Sequence, residues 1–247
     1  MTPATNTDMP GAAAARERAS LRIGGVCAIV GAVMFGIVRI LHGDTPGADA
    51  AASVTFVAGR PDYAAVHIGA VFAALLTLAG LIGVAGSFTH PIAWALSRLG
   101  VASSLVGMAI FSVESTSEGL ALPELARASA AATPDQQADL IRAARAVLAV
   151  THGPSLVAIA ILYGVTLVLF GLGLVTDTYP TWLGWAGILI GAATLLTATG
   201  QYLNPDLMPG FLIYGVLASI LAQLWLLILA VVMLRRSRSV GLRAMPA

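Results

Sequence analysis

The sequence predicts an all-α membrane protein, a polytopic bundle of six transmembrane helices. Hydrophobic residues make up 58% of the 247 residues and charged residues only 10%, whereas a soluble domain has about 25% charged residues. Six apolar runs have the length of about 20 residues that crosses about 30 Å of hydrocarbon. Arginine is also distributed unequally between the segments that connect these runs, as it is in helices with a fixed orientation.

The apolar runs divide the chain into a membrane domain and two tails. The predicted spans lie at about 22–41, 63–86, 92–114, 152–175, 180–202 and 209–234. They belong to a membrane domain over 22–236. Residues 1–21 are small and polar without apolar periodicity, which predicts a disordered cytoplasmic tail. A second cytoplasmic tail, basic in character, follows over 237–247.

The arginines predict that both tails lie in the cytoplasm. With the N-terminus inside, the inner segments hold eight arginines and the outer segments five. Three of those five lie in one long outer loop, where charge has little influence on orientation. We therefore expect an N-in, C-in protein of the plasma membrane whose main partner is the lipid bilayer.

Two outer connections are long enough to fold into a cap. The first contains a short helix around 47–58 and re-enters the membrane with Asp62 as the N-cap. The second covers 115–151, where TPDQ predicts a capping box starting at Thr133, followed by an amphipathic helix. Pro154 is expected to break that helix. The cap either covers the bundle passively or acts as a lid.

Polar residues near the outer face form the predicted site. Arg39, His67, Glu114 and His152 all fall toward that face, and His42 lies close by. His67 and His152 are expected at similar depth, within reach of Glu114 at the end of the third span. The leading hypothesis is a pocket for a small-molecule or lipid-like ligand, with Arg39 paired to an anionic group, Glu114 as the acid and the histidines as walls.

Other functions remain open for the same residues, so the sequence does not decide whether the protein is an enzyme. A metal-dependent hydrolase would draw its ligands from His42, His67, Glu114 and His152, although no HExxH motif is present. A haem protein would use His67 and His152 as axial ligands. An accessory subunit or homo-oligomer would instead dock through small-residue helix faces.

Composition argues against two further classes. A net charge of +1 and the lack of a long basic run exclude a nucleic-acid-binding protein. The lone Cys27 can form no disulfide within the chain and no paired cysteine metal site, which argues against a protein with thiol chemistry.

The run VLFGLGLVTDTYPTWLGWAGILIGAATLL, together with the VH ending at His67 and the outer SVESTSEG, resembles a family of six-span bacterial membrane proteins. That family is common in actinobacteria and is catalogued as an uncharacterised domain. The resemblance covers about residues 20–236 and implies the six-span fold and a prokaryotic plasma membrane. Where the family tends to have V-D-G after the third span, this chain has Val113, Glu114 and Ser115.

Overall fold

Six helices of the computed structural model are long and apolar enough to cross a membrane, which confirms the predicted all-α, six-span fold. The structure describes residues 10–205, 207 and 210–243, and these form helices and no strand. The α-helices are α1 (Pro10–His42), α2 (Ala50–Ala58), α3 (Tyr63–Ala85), α4 (Pro91–Ala130), α5 (Pro134–Ile159), α6 (Thr166–Thr176), α7 (Thr181–Leu203) and α8 (Ala222–Arg243). Two segments are π-helical, π1 (Ala160–Val165) and π2 (Phe211–Leu221).

The spans are α1, α3, α4, the continuous helix α5–π1–α6, α7 and the continuous helix π2–α8. An even number of spans brings the first and last helix ends together, and Glu17 of α1 forms an ion pair of 3.6 Å with Arg236 of α8. We call this the termini end of the bundle. The opposite end, where α1 finishes at His42 and α3 begins at Tyr63, is the histidine end.

One apolar core holds the spans together. α1 packs along α3 and α8, α4 packs along α3, α5 and α6, and α7 packs along α6. Helix backbones meet closely where α1 crosses α3, since a Cβ added to Gly24 would lie 2.7 Å from the Cα of Gly83. Trp225 is buried in the core, and its Nε1 donates to the carbonyl of Leu183 at 2.8 Å. This bond satisfies the one polar group of a large buried side chain.

Both terminal helices are longer than the predicted spans. α1 begins at Pro10, so residues 10–21 of the predicted disordered tail are helical. The first part of that tail, residues 1–9, lies outside the described residues. α8 continues to Arg243 through the first part of the predicted basic tail. Alanine and arginine favour helix over residues 10–21, which explains why α1 begins before its apolar run, and arginine and leucine favour helix at the end of α8.

The segment after the third span is helical as well. α4 continues from the predicted boundary near residue 114 to Ala130. The hydroxyl of Thr116 donates to the carbonyl of Ser112 at 2.6 Å, so this polar side chain is accommodated within the helix. The predicted break at Pro154 is wrong, because α5 runs past it to Ile159 and leads directly into π1. Neighbouring helices make a proline tolerable inside a membrane span.

A cap covers the histidine end. The predicted short helix is α2, whose N-cap Asp49 accepts bonds from the backbone N–H groups of Ala51 and Ala52. The capping box predicted at Thr133 is present. Buried apolar residues of α2, α3, α4 and α5 pack into one cluster: Ala50, Val54, Val57, Tyr63, Leu122, Ala126, Ala144 and Leu148. The cap is therefore fixed to the first residue of α3.

Asp62 does not cap α3 as predicted. It occupies the N-cap position without a side-chain bond to the helix. Its carboxylate instead accepts a hydrogen bond from Nε of Arg60 at 3.3 Å, and this bond lowers the pKa of Asp62 below its usual value. Arg60 also donates to the carbonyl of Leu41, so it joins the start of α3 to the end of α1.

Candidate functional site

Three spans bring two imidazoles and a carboxylate together at the histidine end. His42 is the last residue of α1, His67 lies in the second turn of α3, and Glu118 lies on α4. One ligand atom from each of the three lies within 4.8 Å of the other two. His67 is buried, whereas His42 and Glu118 are half-buried. We call these three residues the histidine cluster.

Hydrogen bonding orients the ring of His67. Its Nδ1 lies 2.9 Å from the carbonyl oxygen of Tyr63, one turn earlier on α3. A carbonyl only accepts, so Nδ1 carries a proton, and in the neutral ring Nε2 keeps its lone pair. That Nε2 faces Glu118 across 3.9 Å to Oε1.

His42 is oriented in the same way. Its Nδ1 lies 3.0 Å from the carbonyl oxygen of Gly43, so Nδ1 donates, and in the neutral ring Nε2 keeps the lone pair. Gly43 has φ of +66°, a left-handed conformation that glycine adopts without steric cost, and it turns the chain back immediately after α1. The rings of His42 and His67 then face each other with centroids 4.9 Å apart.

Tyr63, which was not among the predicted site residues, is part of the site. It is fully buried, and its ring lies 4.4 Å from that of His67 and 5.6 Å from that of His42, between centroids. Its hydroxyl donates to Oε1 of Glu118 at 2.8 Å, and Thr45 Oγ1 lies 3.3 Å from the same hydroxyl. The spacing of four residues to His67 places both on one face of α3 and is the sequence pattern that could have revealed Tyr63.

A glycine on α4 permits its approach to His67. A Cβ added to Gly119 would lie 2.5 Å from the Cβ of His67 and 2.8 Å from its Cγ, closer than real Cβ atoms approach. One turn earlier, Ser115 Oγ donates to the carbonyl oxygen of His67 at 3.3 Å. Glu118, next to Gly119, is thereby held beside the imidazole.

Of the four residues predicted as a pocket, His67 belongs to the histidine cluster, whereas Arg39, Glu114 and His152 are not among its three members. Glu114 is buried one helical turn before Glu118 on the same face of α4. Arg39 is not one of the three ligand residues: its guanidinium donates to the Asp44 carboxylate and to the Gly43 carbonyl at 2.5 Å, the same oxygen that lies beside His42 Nδ1. His152 is exposed on α5 and lies outside the cluster. The haem arrangement would need the His67 and His152 rings to face each other, whereas the ring of His67 packs at tilted angles against the rings of Tyr63 and His42.

Glu118 was missed because the third span was expected to end near residue 114. The continuous helix puts Glu114 and Glu118 four residues apart, so both carboxylates fall on one face. The same spacing was visible in SVESTSEG. Reading that stretch as helix rather than loop would have found Glu118.

The comparisons with known proteins give a family. A family model described as "Domain of unknown function (DUF4386)" matches residues 23–230. The chain belongs to the DUF4386 family. No curated protein and no solved structure matches it. The matched DUF4386 region begins in the first span, ends in the sixth, and contains the whole histidine cluster.

This DUF4386 chain has a second polar cluster at the termini end, centred on Arg236. The guanidinium lies 4.6 Å above the ring of Tyr179, donates to Thr178 Oγ1 at 2.7 Å and forms ion pairs with Glu17 and Asp177, the latter at 3.9 Å. These contacts join α1, α8 and the loop between α6 and α7. The cluster ties helix ends together, and burial raises the pKa of Tyr179 above its usual value.

Asp177, in the loop between α6 and α7, accepts hydrogen bonds from the backbone at the start of α4. Its Oδ2 accepts bonds from the backbone N–H groups of Thr89 at 2.8 Å and His90 at 2.9 Å, and its Oδ1 accepts from the N–H of Thr178 at 2.6 Å. Burial alone would raise the pKa of Asp177, but these donors outweigh that effect and the pKa lies below its usual value. The carboxylate is thus held in its charged form.

Proposed function

We propose that the protein is a membrane protein that binds a divalent transition-metal ion of the zinc class in the histidine cluster. The observation that carries the proposal is the convergence of three ligand atoms from His42, His67 and Glu118 within 4.8 Å of one another. A tetrahedral ion with bonds of about 2.0–2.2 Å separates its ligand atoms by about 3.3–3.5 Å. Small side-chain movements would bring the three groups to that separation.

The surroundings of the three ligands support zinc. Metal-binding histidines commonly donate their second ring nitrogen to a carbonyl or carboxylate, and ligating carboxylates accept a further hydrogen bond. His42 and His67 each have such a carbonyl partner, and Glu118 accepts from Tyr63. Two nitrogens with one carboxylate favour zinc over calcium or magnesium, which take oxygen ligands.

The ligand set also favours hydrolytic activity. Two histidines and one glutamate would hold the ion with three protein ligands, as in catalytic zinc sites, and the ion would supply a Lewis acid and a water of lowered pKa. Glu114 lies one turn before Glu118, about 6 Å away along α4 and on the same face, and is the group we assign to accept a proton from that water. With the metal bound, such a site would hydrolyse a carbonyl or phosphoryl substrate: the water oxygen would bond to the reacting centre as the bond to the leaving group breaks, and the proton held by Glu114 would pass to the leaving group.

We also infer that the histidine end faces outward across a bacterial plasma membrane. The termini end carries most of the arginines, and the positive-inside rule then places it in the cytoplasm. Replacing Cys27 with serine and Ala131 with cysteine gives one thiol at the histidine end. We expect a membrane-impermeant maleimide to label the cysteine at position 131 in intact cells. Labelling only after lysis would show that the histidine end faces the cytoplasm.

Elemental analysis tests the metal site directly. The full chain is purified in mild detergent without a metal-binding tag, dialysed against zinc and then against buffer, and its metal content is measured. We expect about one zinc per chain. His67→Gln and His42→Gln should each lose it, whereas the matched control His152→Gln should retain it, because His152 is exposed and outside the cluster.

A folded wild-type chain that retains no zinc would overturn the proposal, and so would equal loss in His152→Gln. Melting temperatures of all variants establish that they are folded. Lipid extraction of the metal-free protein then distinguishes the remaining hypotheses. A co-purifying organic ligand lost in Glu114→Gln would favour the ligand pocket, and stable recovery of one partner by cross-linking would favour an accessory subunit.

A further inference from the structure

A groove at the termini end combines positive charge with apolar walls. It lies between the first turns of α1 and the end of α8 and encloses about 400 Å³. Arg18 and Arg22 line it together with Ala15, Ala19 and Val240. The two arginines are four residues apart, so their side chains lie on one face of α1.

These two guanidiniums have no protein partner among the described residues. Both Arg18 and Arg22 are exposed, and no carboxylate of residues 10–205, 207 and 210–243 pairs with either. Glu17, the acidic neighbour in the chain, is on another side of the helix and pairs with Arg236 at 3.6 Å. Within the part of the chain that the structure describes, the groove therefore presents two positive charges without a carboxylate partner.

An apolar strip continues from the arginines along α1 into the bilayer. Val26, Val30, Val33 and Ile37 follow Arg22 at steps of three or four residues and are all about half exposed. The steps keep them on one side of the helix. From Arg22 to Ile37 the strip measures about 22 Å, and its first part, of about 16 Å to Val33, covers about half of a hydrocarbon core of about 30 Å.

We propose that this groove and strip bind one anionic phospholipid. Guanidiniums bind phosphate oxygens through paired, charge-assisted hydrogen bonds, which suits Arg18 and Arg22 to the headgroup phosphate. The strip of valines receives an acyl chain over the depth of one leaflet. A nucleic acid or an acidic peptide would use the charges but not the apolar strip, so a lipid is the occupant that uses both.

Lipid retention measures this directly. The full chain is purified in detergent, mixed with equal amounts of phosphatidylglycerol and phosphatidylcholine, and bound lipid per chain is counted by native mass spectrometry. We expect one phosphatidylglycerol to be retained in preference to phosphatidylcholine. The double variant Arg18→Gln/Arg22→Gln should lower that retention by about tenfold or more and leave phosphatidylcholine unchanged.

Arg98→Gln is the matched control. Arg98 is also exposed at the termini end, but it stacks on Trp94 at 5.2 Å from the ring centroid and does not line the groove. Equal loss in Arg98→Gln would show a general charge effect and overturn the site, as would full retention in the double variant. Melting temperature and zinc content should stay unchanged in both variants, which separates this result from the metal proposal.

A soluble competitor tests the choice of occupant. Glycerol 3-phosphate supplies the phosphate without acyl chains. We expect it to displace the lipid only at concentrations far above that of the lipid, because it leaves the valine strip uncovered. Displacement at equal concentration would identify a soluble phosphate compound as the occupant and overturn the lipid proposal.

Discussion

At the histidine end, ligand atoms of two imidazoles and a carboxylate from three different spans lie within 4.8 Å of one another, whereas at the termini end a single guanidinium, Arg236, is surrounded by groups that already pair with it. Among the described residues, the termini end carries eight arginines and two acidic residues, and the histidine end carries five arginines and eight acidic residues. The histidine end is thus suited to a bound cation. The termini end combines the paired Arg236 cluster with a basic surface suited to anions.

The difference shows that a cluster of polar residues indicates a ligand site only where some of its atoms lack a hydrogen-bond partner within the protein. Arg236 and Asp177 are charged residues, but their donors and acceptors are hydrogen-bonded within the protein. His42 and His67 have one nitrogen paired and one open. A ring nitrogen without a hydrogen-bond partner, next to a carboxylate, is the feature that favours binding of a cation.

The largest expected effect separates the two carboxylates of α4. Glu118→Gln removes the charged ligand and should weaken zinc binding by more than about 100-fold, which exceeds the usual effect of a residue outside the ligand set. Glu114→Gln should leave zinc affinity within about threefold and abolish any zinc-dependent hydrolysis, because a base acts on the water and not on the ion. Calorimetric titration of both variants measures this, and equal losses would contradict the assigned roles.

Tyr63→Phe should have the next largest effect at the histidine end. It removes the donor to Glu118 at 2.8 Å while keeping the buried ring. A lost hydrogen bond to a metal ligand typically lowers affinity by about 10–100-fold. The control Tyr202→Phe removes the hydroxyl of an exposed tyrosine and should leave zinc titration unchanged. Wild-type affinity in Tyr63→Phe would mean that the hydroxyl does not position Glu118.

Gly119→Ala tests whether close packing assembles the histidine cluster. The added methyl would overlap His67 and should lower stability by about 1–3 kcal/mol. Gly36→Ala is the matched control, because nothing lies within 4 Å of a Cβ at that position. It should be neutral or stabilise by up to about 1 kcal/mol. Thermal unfolding of the two variants compares them, and similar melting temperatures would contradict the observed contact.

The smallest effect concerns acid stability at the termini end. The depressed pKa of Asp177 means that its contribution is present above the unfolded pKa of about 3.9 and is lost as pH falls through the lower folded value. Wild type should therefore lose stability below about pH 4, and Asp177→Asn should lose less over that window. Thr89→Val keeps the backbone donors and should retain most of the wild-type dependence. Melting temperatures between pH 6 and pH 3 give the comparison.

The six spans could be predicted because apolar length alone determines them. Depth along a span could be estimated too, and it correctly placed His42, His67 and Glu114 toward one end of the bundle. Rotation about each helix axis could not be predicted in the same way. Thr151 is buried and His152 exposed although they are adjacent, because one residue turns the helix by about 100°.

The cluster itself depends on contacts between distant segments. Glu118 reaches His67 only because α4 continues beyond its apolar stretch and because Gly119 permits the approach. Arg39 is drawn to Asp44 by the turn at Gly43, which no periodic pattern encodes. Tertiary packing of this kind overrides the local composition that suggested a loop.

Because of the π-helical segment π1, the number of residues between α5 and α6 determines how the two helices are rotated relative to each other. A π-helical turn accommodates one more residue than an α-helical turn, as an insertion would. Deleting a single residue between Ala160 and Val165 would restore the α-helical phase and turn α5 by about 100° relative to α6. Thr151 and His152 would then change faces, and the buried surface that α5 offers the cap would turn with them. A relative one residue shorter at this position would therefore need a differently patterned cap.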